Sequence, residues 1–313
     1  MADKELYIHI GAHKAGSTSL QQSLLDHSFA LRGAGVRYLT TGRRSYTGPH
    51  YTISTAAQKH GEDSSRKVFK ALATEIADAD QSKLILSSEA FESLPGAGCL
   101  AAFRDLREKL GLKIRVLYIV RRHSEQLCSS YVQVVRELAI SETFHSYTLR
   151  RMAAYHSRYR RCIALWSGLA DRMDVIELAP ANIEGYLLAE FGMPIKLSHR
   201  NRGLNILAIE ALRRYCENYK RKHDVKAVKR VEHDHKIEAI IARAVEFDDL
   251  YPAFWGYTPN LFTALAKNSA ADRSYLATSH GIHFEEKNDK PRSIFTESRG
   301  EEDRNRLFYI LFG

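Results

Sequence analysis

The chain has 313 residues, 44% of them hydrophobic and 27% charged, with a formal net charge of +9. These values exclude a disordered chain, and no apolar run approaches the ~20 residues of a membrane-spanning helix. They describe a soluble globular protein, either one large domain or two smaller ones, with a charge that suits an anionic partner but that solubility alone would also explain.

The first residues lead directly into an apolar strand and carry no signal-peptide pattern. The four cysteines, Cys99, Cys128, Cys162 and Cys216, form no CxxC pair and suggest no disulfide framework. A reducing, cytoplasmic location is the expectation.

Residues 6–10 read as a buried strand. The chain then turns through Gly11 and Gly16, with His13, Lys14 and Ala15 between them, and Ser17, Thr18 and Ser19 open an apolar helix. Strand, glycine loop and helix in that order make a phosphate cradle: successive backbone N–H groups point into the loop and the helix offers the positive end of its dipole. The two glycines have the separation of a nucleotide-triphosphatase loop, but Ser17 stands where the lysine should follow the second glycine. The lysine lies inside the loop, at Lys14. A magnesium-chelated triphosphate is therefore not the expected ligand; a single phosphate or a phosphosulfate fits better. The alternative is a glycine turn with no ligand.

The helix after the loop is expected over 17–31, ended by Gly33 and Gly35, and a short strand over 36–39. Residues 40–51 form a polar loop carrying Arg43, Arg44 and His50, of the kind that binds substrates. A helix is predicted over 65–79. Residues 83–89 form a buried strand ending in Ser87, Ser88 and Glu89. Ligands of open parallel sheets sit at the carboxyl ends of the strands, which places Glu89 near the loop as a proton acceptor or, alternatively, as a helix cap.

Helix 97–110 precedes a third strand, 113–120, which runs into Arg121 and Arg122 and another helix. Arg121 and Ser129 are eight apart, as are Arg122 and Ser130, about two helical turns. One such pair could clamp a second phosphate; two arginines capping a strand are the alternative. A long helix over 146–166, a strand over 172–178 and a helix over 181–191 follow. The alternation predicts an α/β fold with a mostly parallel sheet flanked by helices.

Beyond residue 195 the pattern becomes helical. A basic loop containing Asn201 and Arg202 precedes a helix over 204–219. Residues 220–246 are dense in lysine and arginine, read as a solvated face or as a contact surface for an acidic acceptor. His233 and His235, two apart in an expected helix, diverge and give no metal site. No repeat, low-complexity segment or nucleic-acid signature is visible.

Three stretches together, residues 13–19, Ser87-Ser88-Glu89, and the arginine pair with Ser129 and Ser130, resemble the sulfotransferases that use 3′-phosphoadenosine 5′-phosphosulfate (PAPS), closest to bacterial members acting on carbohydrate or lipid hydroxyls. Ala15 departs from the hydroxyl residue usual at its place. The loop around Asn201, with Arg202, and residues 268–276 resemble these proteins more weakly. The resemblance implies a single domain with a P-loop nucleotide-kinase-like fold, its α/β core over about 1–195 with a helical remainder. It implies PAPS as donor, its product 3′,5′-adenosine bisphosphate (PAP), and no metal.

It further implies Lys14 on the leaving phosphate, residues 13–19 and Arg202 around the nucleotide, and Arg121 or Arg122 with Ser129 or Ser130 on the 3′-phosphate. The base is Glu89 or His50, with Glu89 preferred. The acidic base that some glycan-acting branches carry in the earlier loop has no counterpart between Arg32 and His60. The expected acceptor is a hydroxyl of a glycan or glycolipid, with transient membrane-surface contact and no nucleic acid. A small-molecule kinase and a non-enzymatic polyanion binder stay as alternatives.

Overall fold

The computed structural model describes residues 4–43, 48–93, 97–197, 203–226, 228–288, 290 and 301–312. In chain order the strands are β1 (Glu5–His9), β2 (Val36–Tyr38), β3 (Lys83–Ser87), β4 (Lys113–Val120) and β5 (Arg172–Glu177). The helices begin with α1 (Ser17–Asp26), α2 (Ser28–Gly33), α3 (Tyr51–Gln58), α4 (Asp63–Ala77), α5 (Ala97–Leu110), α6 (His123–Arg136) and α7 (Phe144–Met152). They continue with α8 (Arg158–Ser167), α9 (Pro180–Phe191), α10 (Ile206–His223), α11 (Asp234–Val245), α12 (Pro259–Asn268), α13 (Ala270–His280) and α14 (Glu301–Phe312).

The chain divides into two compact units. One comprises Met1–Arg121, Ser157–Arg200 and Asp272–Phe284; the other comprises Arg122–His156, Asn201–Ala271 and Glu285–Gly313. The division thus crosses the chain several times, rather than once near residue 195.

The first unit holds a five-stranded sheet in the order β2-β3-β1-β4-β5, parallel throughout. Its fold class is α/β, as the alternation of strands and helices predicts. All five carboxyl ends therefore lie along one edge. The chain leaves β1 toward β2 on one side, whereas β3 is followed by β4 on the other, so the crevice for a ligand opens beside the central strand. Leu20 and Leu24 of α1, with Leu187 and Phe191 of α9, pack over Tyr7, His9, Ile85 and Leu117 on one face. On the other, Phe103 of α5 and Trp166 of α8 meet Phe91 edge-on and Phe69 of α4 meets Phe103, in a run of rings 5.5–5.9 Å apart.

Two expected helices are broken. The first stops at Asp26, where His27 leaves the helical backbone (φ −99°, ψ 12°) and the chain restarts as α2 at Ser28. The segment 146–166 splits into α7 and α8 around Ser157. There the buried carboxylate of Asp272 accepts the N–H groups of Tyr159 and Arg160 at 2.9 and 2.8 Å and so caps α8.

The second unit is helical, built on α6, α7, α10, α11, α12 and α14 around Leu127, Tyr131, Phe144, Leu212, Tyr257 and Leu265. All four cysteines are buried free thiols. Among the described residues no helix is long and apolar enough to cross a membrane.

Candidate functional site

The loop after β1 emerges from the middle of the sheet. Its first residues stay on the β4 ladder: Ala12 donates to the Ile119 carbonyl and the Gly11 carbonyl accepts from Ile119, both at 2.7 Å. Gly11 packs beside the turn that follows β3: a Cβ there would sit 3.4 Å from the Glu89 Cα. Lys14 then takes a left-handed backbone, φ 64°, and Gly16 another, φ 77°. For glycine this costs little; for lysine it costs about 1–2 kcal/mol. Such strain persists where surrounding contacts over-determine it. Here they are Arg121 Nη1, which donates to the Lys14 carbonyl at 2.7 Å, and Glu92, whose carboxylate accepts the His13 amide at 2.8 Å.

The donors divide unevenly. The His13 amide goes to Glu92 and the Ala15 amide to the Ala12 carbonyl, so these two do not face an open cradle as the sequence led us to expect. The amides of Gly16, Ser17, Thr18 and Ser19 have no acceptor among the described residues. They are the first-turn donors of α1, where the helix dipole is positive. Ser17 is buried, its hydroxyl 3.5 Å from the Ala12 carbonyl, while Thr18 is exposed and Ser19 half-exposed. The donors left for an anion are therefore those at the head of α1, beside Lys14.

Glu89 follows β3 at the same edge. Its carboxylate accepts from the Tyr51 hydroxyl in a short hydrogen bond and from Gln21 Nε2 at 3.1 Å. Burial alone would raise its pKa, but the Tyr51 bond, its own amide, Gln21 and nearby His13 outweigh that and hold it below the ordinary carboxylate range. The Glu89 carboxylate is thus ionised at neutral pH and held in one orientation, as a general base must be. Gln21 also donates to Ser87 Oγ at 3.1 Å, and Ser87 Oγ lies 2.8 Å from His9 Nδ1. Burial pushes the His9 imidazole down to about 4, so this network is neutral behind the carboxylate.

His50, the competing base, is not presented to the crevice. It is fully buried, with Nε2 2.9 Å from the Leu39 carbonyl and Nδ1 3.2 Å from the Ser87 amide. Burial pushes it down to about 4. The ring cross-links the ends of β2 and β3, which argues against His50 and leaves Glu89 as the candidate base.

Glu92 was not singled out by sequence. It is buried and accepts from Arg158 Nε and Nη2, at 3.0 and 2.7 Å, and from the Tyr118 hydroxyl at 2.6 Å, as well as from the His13 amide. It ties the loop to β4 and α8. Gln21, likewise unforeseen, lies one turn into α1. Only its spacing of four from Ser17 hinted that it faces the sheet.

Arg121 belongs to the first unit. Besides bracing Lys14, its carbonyl accepts the Tyr159 hydroxyl at 2.6 Å. Arg122, Ser129 and Ser130 belong to the second. Arg122 pairs with Glu125 at 2.7 Å, and both serines are half-exposed on α6. The first turn of α6 already has an acceptor: Glu286 takes the His123 amide at 2.8 Å and the Ser124 hydroxyl in a short bond. Arg202 and Asn201 lie outside the described residues, as does Arg44. Among the described residues no cluster of three or more His, Cys, Asp or Glu is arranged to hold a metal ion.

Searches of known protein families, of characterised proteins and of solved structures returned no match to this chain.

Proposed function

We propose that the chain moves a sulfuryl group from PAPS to a hydroxyl of a carbohydrate or glycolipid, on a P-loop-like α/β scaffold. The observation that carries this reading is a single juxtaposition. Lys14 is held in a left-handed turn next to four helix-start amides that have no acceptor among the described residues, while Gly11 of the same loop packs against ionised Glu89.

The donor, when bound, supplies a sulfuryl group whose departure leaves negative charge on a phosphate oxygen. Lys14 and the amides of residues 16–19 stabilise that charge, with Thr18 and Ser19 adding hydroxyl donors. Glu89 accepts the proton of the acceptor hydroxyl, and Tyr51 and Gln21 keep its carboxylate aimed. Arg121 or Arg122, with Ser129 or Ser130, would hold the 3′-phosphate. Arg121 already has one guanidinium nitrogen committed to the loop. The absence of lysine after Gly16 argues against a kinase.

Turnover with PAPS and a panel of sugar alcohols tests the proposal. Lys14→Ala is expected to reduce kcat by about 10²–10³ with the fold intact. Near-normal turnover by a folded Lys14→Ala protein, or magnesium-dependent ATP consumption by the wild type, would count against it.

A further inference from the structure

The second unit contains a groove of about 580 Å³ that the proposed chemistry does not use. It is formed by α10, α11 and α14, and among its lining residues are Tyr215, Tyr219, Lys222, Lys236, Arg243 and Phe312. Its aromatic wall is held in place. His233, buried beneath it, shares a 2.8 Å hydrogen bond between Nδ1 and the Tyr215 hydroxyl and meets the Tyr219 ring edge-on at 4.5 Å. Lys236 places its ammonium 5.9 Å from the centre of the Tyr215 ring.

The charge on the groove is one-sided. Among the described residues that line it, none is acidic. Of the carboxylates on the flanking residues, Glu217 pairs with Arg213, Glu232 with Lys229 and Glu238 with Arg136, while Asp224 and Asp234, beside His223 and His235, are not among the lining residues. Among the described residues Lys222 and Lys236 have no carboxylate partner, and Arg243 donates only to the Ile310 carbonyl, at 3.1 Å. Uncompensated cations around an apolar, ring-lined cleft attract an anion that also has a flat apolar face. A sugar ring bearing acidic groups meets both demands: its C–H face lies on tyrosine and its anionic groups reach the lysines.

We propose that this groove binds an acidic sugar carrying sulfate or phosphate, either free or as the headgroup of a lipid. The site is separate in its residues from the loop around Lys14, and its test does not depend on turnover.

The experiment uses the full chain. Titration calorimetry with a trisulfated heparin disaccharide probes the free sugar. Co-sedimentation with phosphatidylcholine vesicles containing phosphatidylinositol phosphate probes the headgroup. At least one probe is expected to bind. Lys222→Glu combined with Lys236→Glu is expected to weaken that binding more than about tenfold, the loss of roughly one charge-assisted contact or more. Both lysines are exposed, so the fold should survive, and an unchanged melting curve checks this. Reversing Lys67 and Lys70, which are equally exposed on α4, removes the same net charge and should leave affinity unchanged. Tyr219→Phe should bind like the wild type and Tyr219→Ala more weakly. Lys14→Ala should bind like the wild type, which separates this site from the loop. Binding to vesicles alone identifies the headgroup, and equal binding to the disaccharide identifies the free sugar. Failure of both probes overturns the proposal, as does an equal loss on reversing Lys67 and Lys70.

Discussion

Gln21, on the first helix after the loop, donates to the Glu89 carboxylate at 3.1 Å and so links α1 to the candidate base. The leading amides of α1 have no acceptor among the described residues, while Gln21 on its buried side orients the carboxylate. Since Gln21 and Tyr51 both bond the ionised form of Glu89, they lower its pKa against burial.

Removing either donor should therefore raise the Glu89 pKa. The acid limb of the pH–rate profile is expected below the ordinary value of 4.5 in the wild type. It should move upward in Tyr51→Phe and in Gln21→Leu, since the carboxylate must be ionised to accept a proton. Profiles of kcat against pH check this. An acid limb that stays in place in both variants would show that Glu89 is not the titrating base.

Much of this fold is legible in the sequence. β4 and α5 appear at their predicted bounds because 113–120 alternates through Lys113 and Arg115 into the apolar run 116–120 and 97–110 has a clean helical period. The order strand, glycine loop, helix locates the loop for the same local reason. What escaped is non-local. The break between α7 and α8 is set by Asp272, more than a hundred residues away. Helix α3 was missed because its buried side consists of Ile53, Ser54, Ala56 and Ala57, too small to show an apolar stripe. His50 looked like a candidate base because its exposure depends on strands β2 and β3 closing over it. Glu92 and Gln21 carry no motif; only their partners in the folded chain mark them.

Arg121 braces the strained turn at Lys14, so its loss should affect the chemical step. Arg121→Ala is expected to lower kcat at least about tenfold, through misplacement of the lysine. Arg122→Ala, if it acts on the 3′-phosphate alone, should chiefly raise the KM for the donor. Steady-state kinetics with the donor varied separate the two. An unchanged kcat in Arg121→Ala would remove the bracing role.

Glu75 gives a stability test independent of activity. Burial opposes its charge. The Thr41 and Thr40 hydroxyls and amides outweigh that and bring its pKa to about 2, with contacts of 2.7–3.1 Å. The folded pKa lies below the unfolded value. The contribution is therefore fully present above pH 4.5 and lost as pH falls toward 2. Glu75→Gln should cost about 1–2 kcal/mol near neutrality, with the gap from wild type closing as the solution is acidified. Urea unfolding across that range checks it; a gap that widens in acid would contradict it.

The most direct test of the donor site is thermal stabilisation by PAP compared with magnesium-ATP. The expected result is a clear rise in melting temperature with PAP, corresponding to about 2.7 kcal/mol at a hundred times its Kd, little change with magnesium-ATP, and a much smaller PAP effect in Lys14→Ala. Equal or greater stabilisation by magnesium-ATP, or a PAP effect undiminished in Lys14→Ala, would contradict the claim that this loop is built for a phosphosulfate donor.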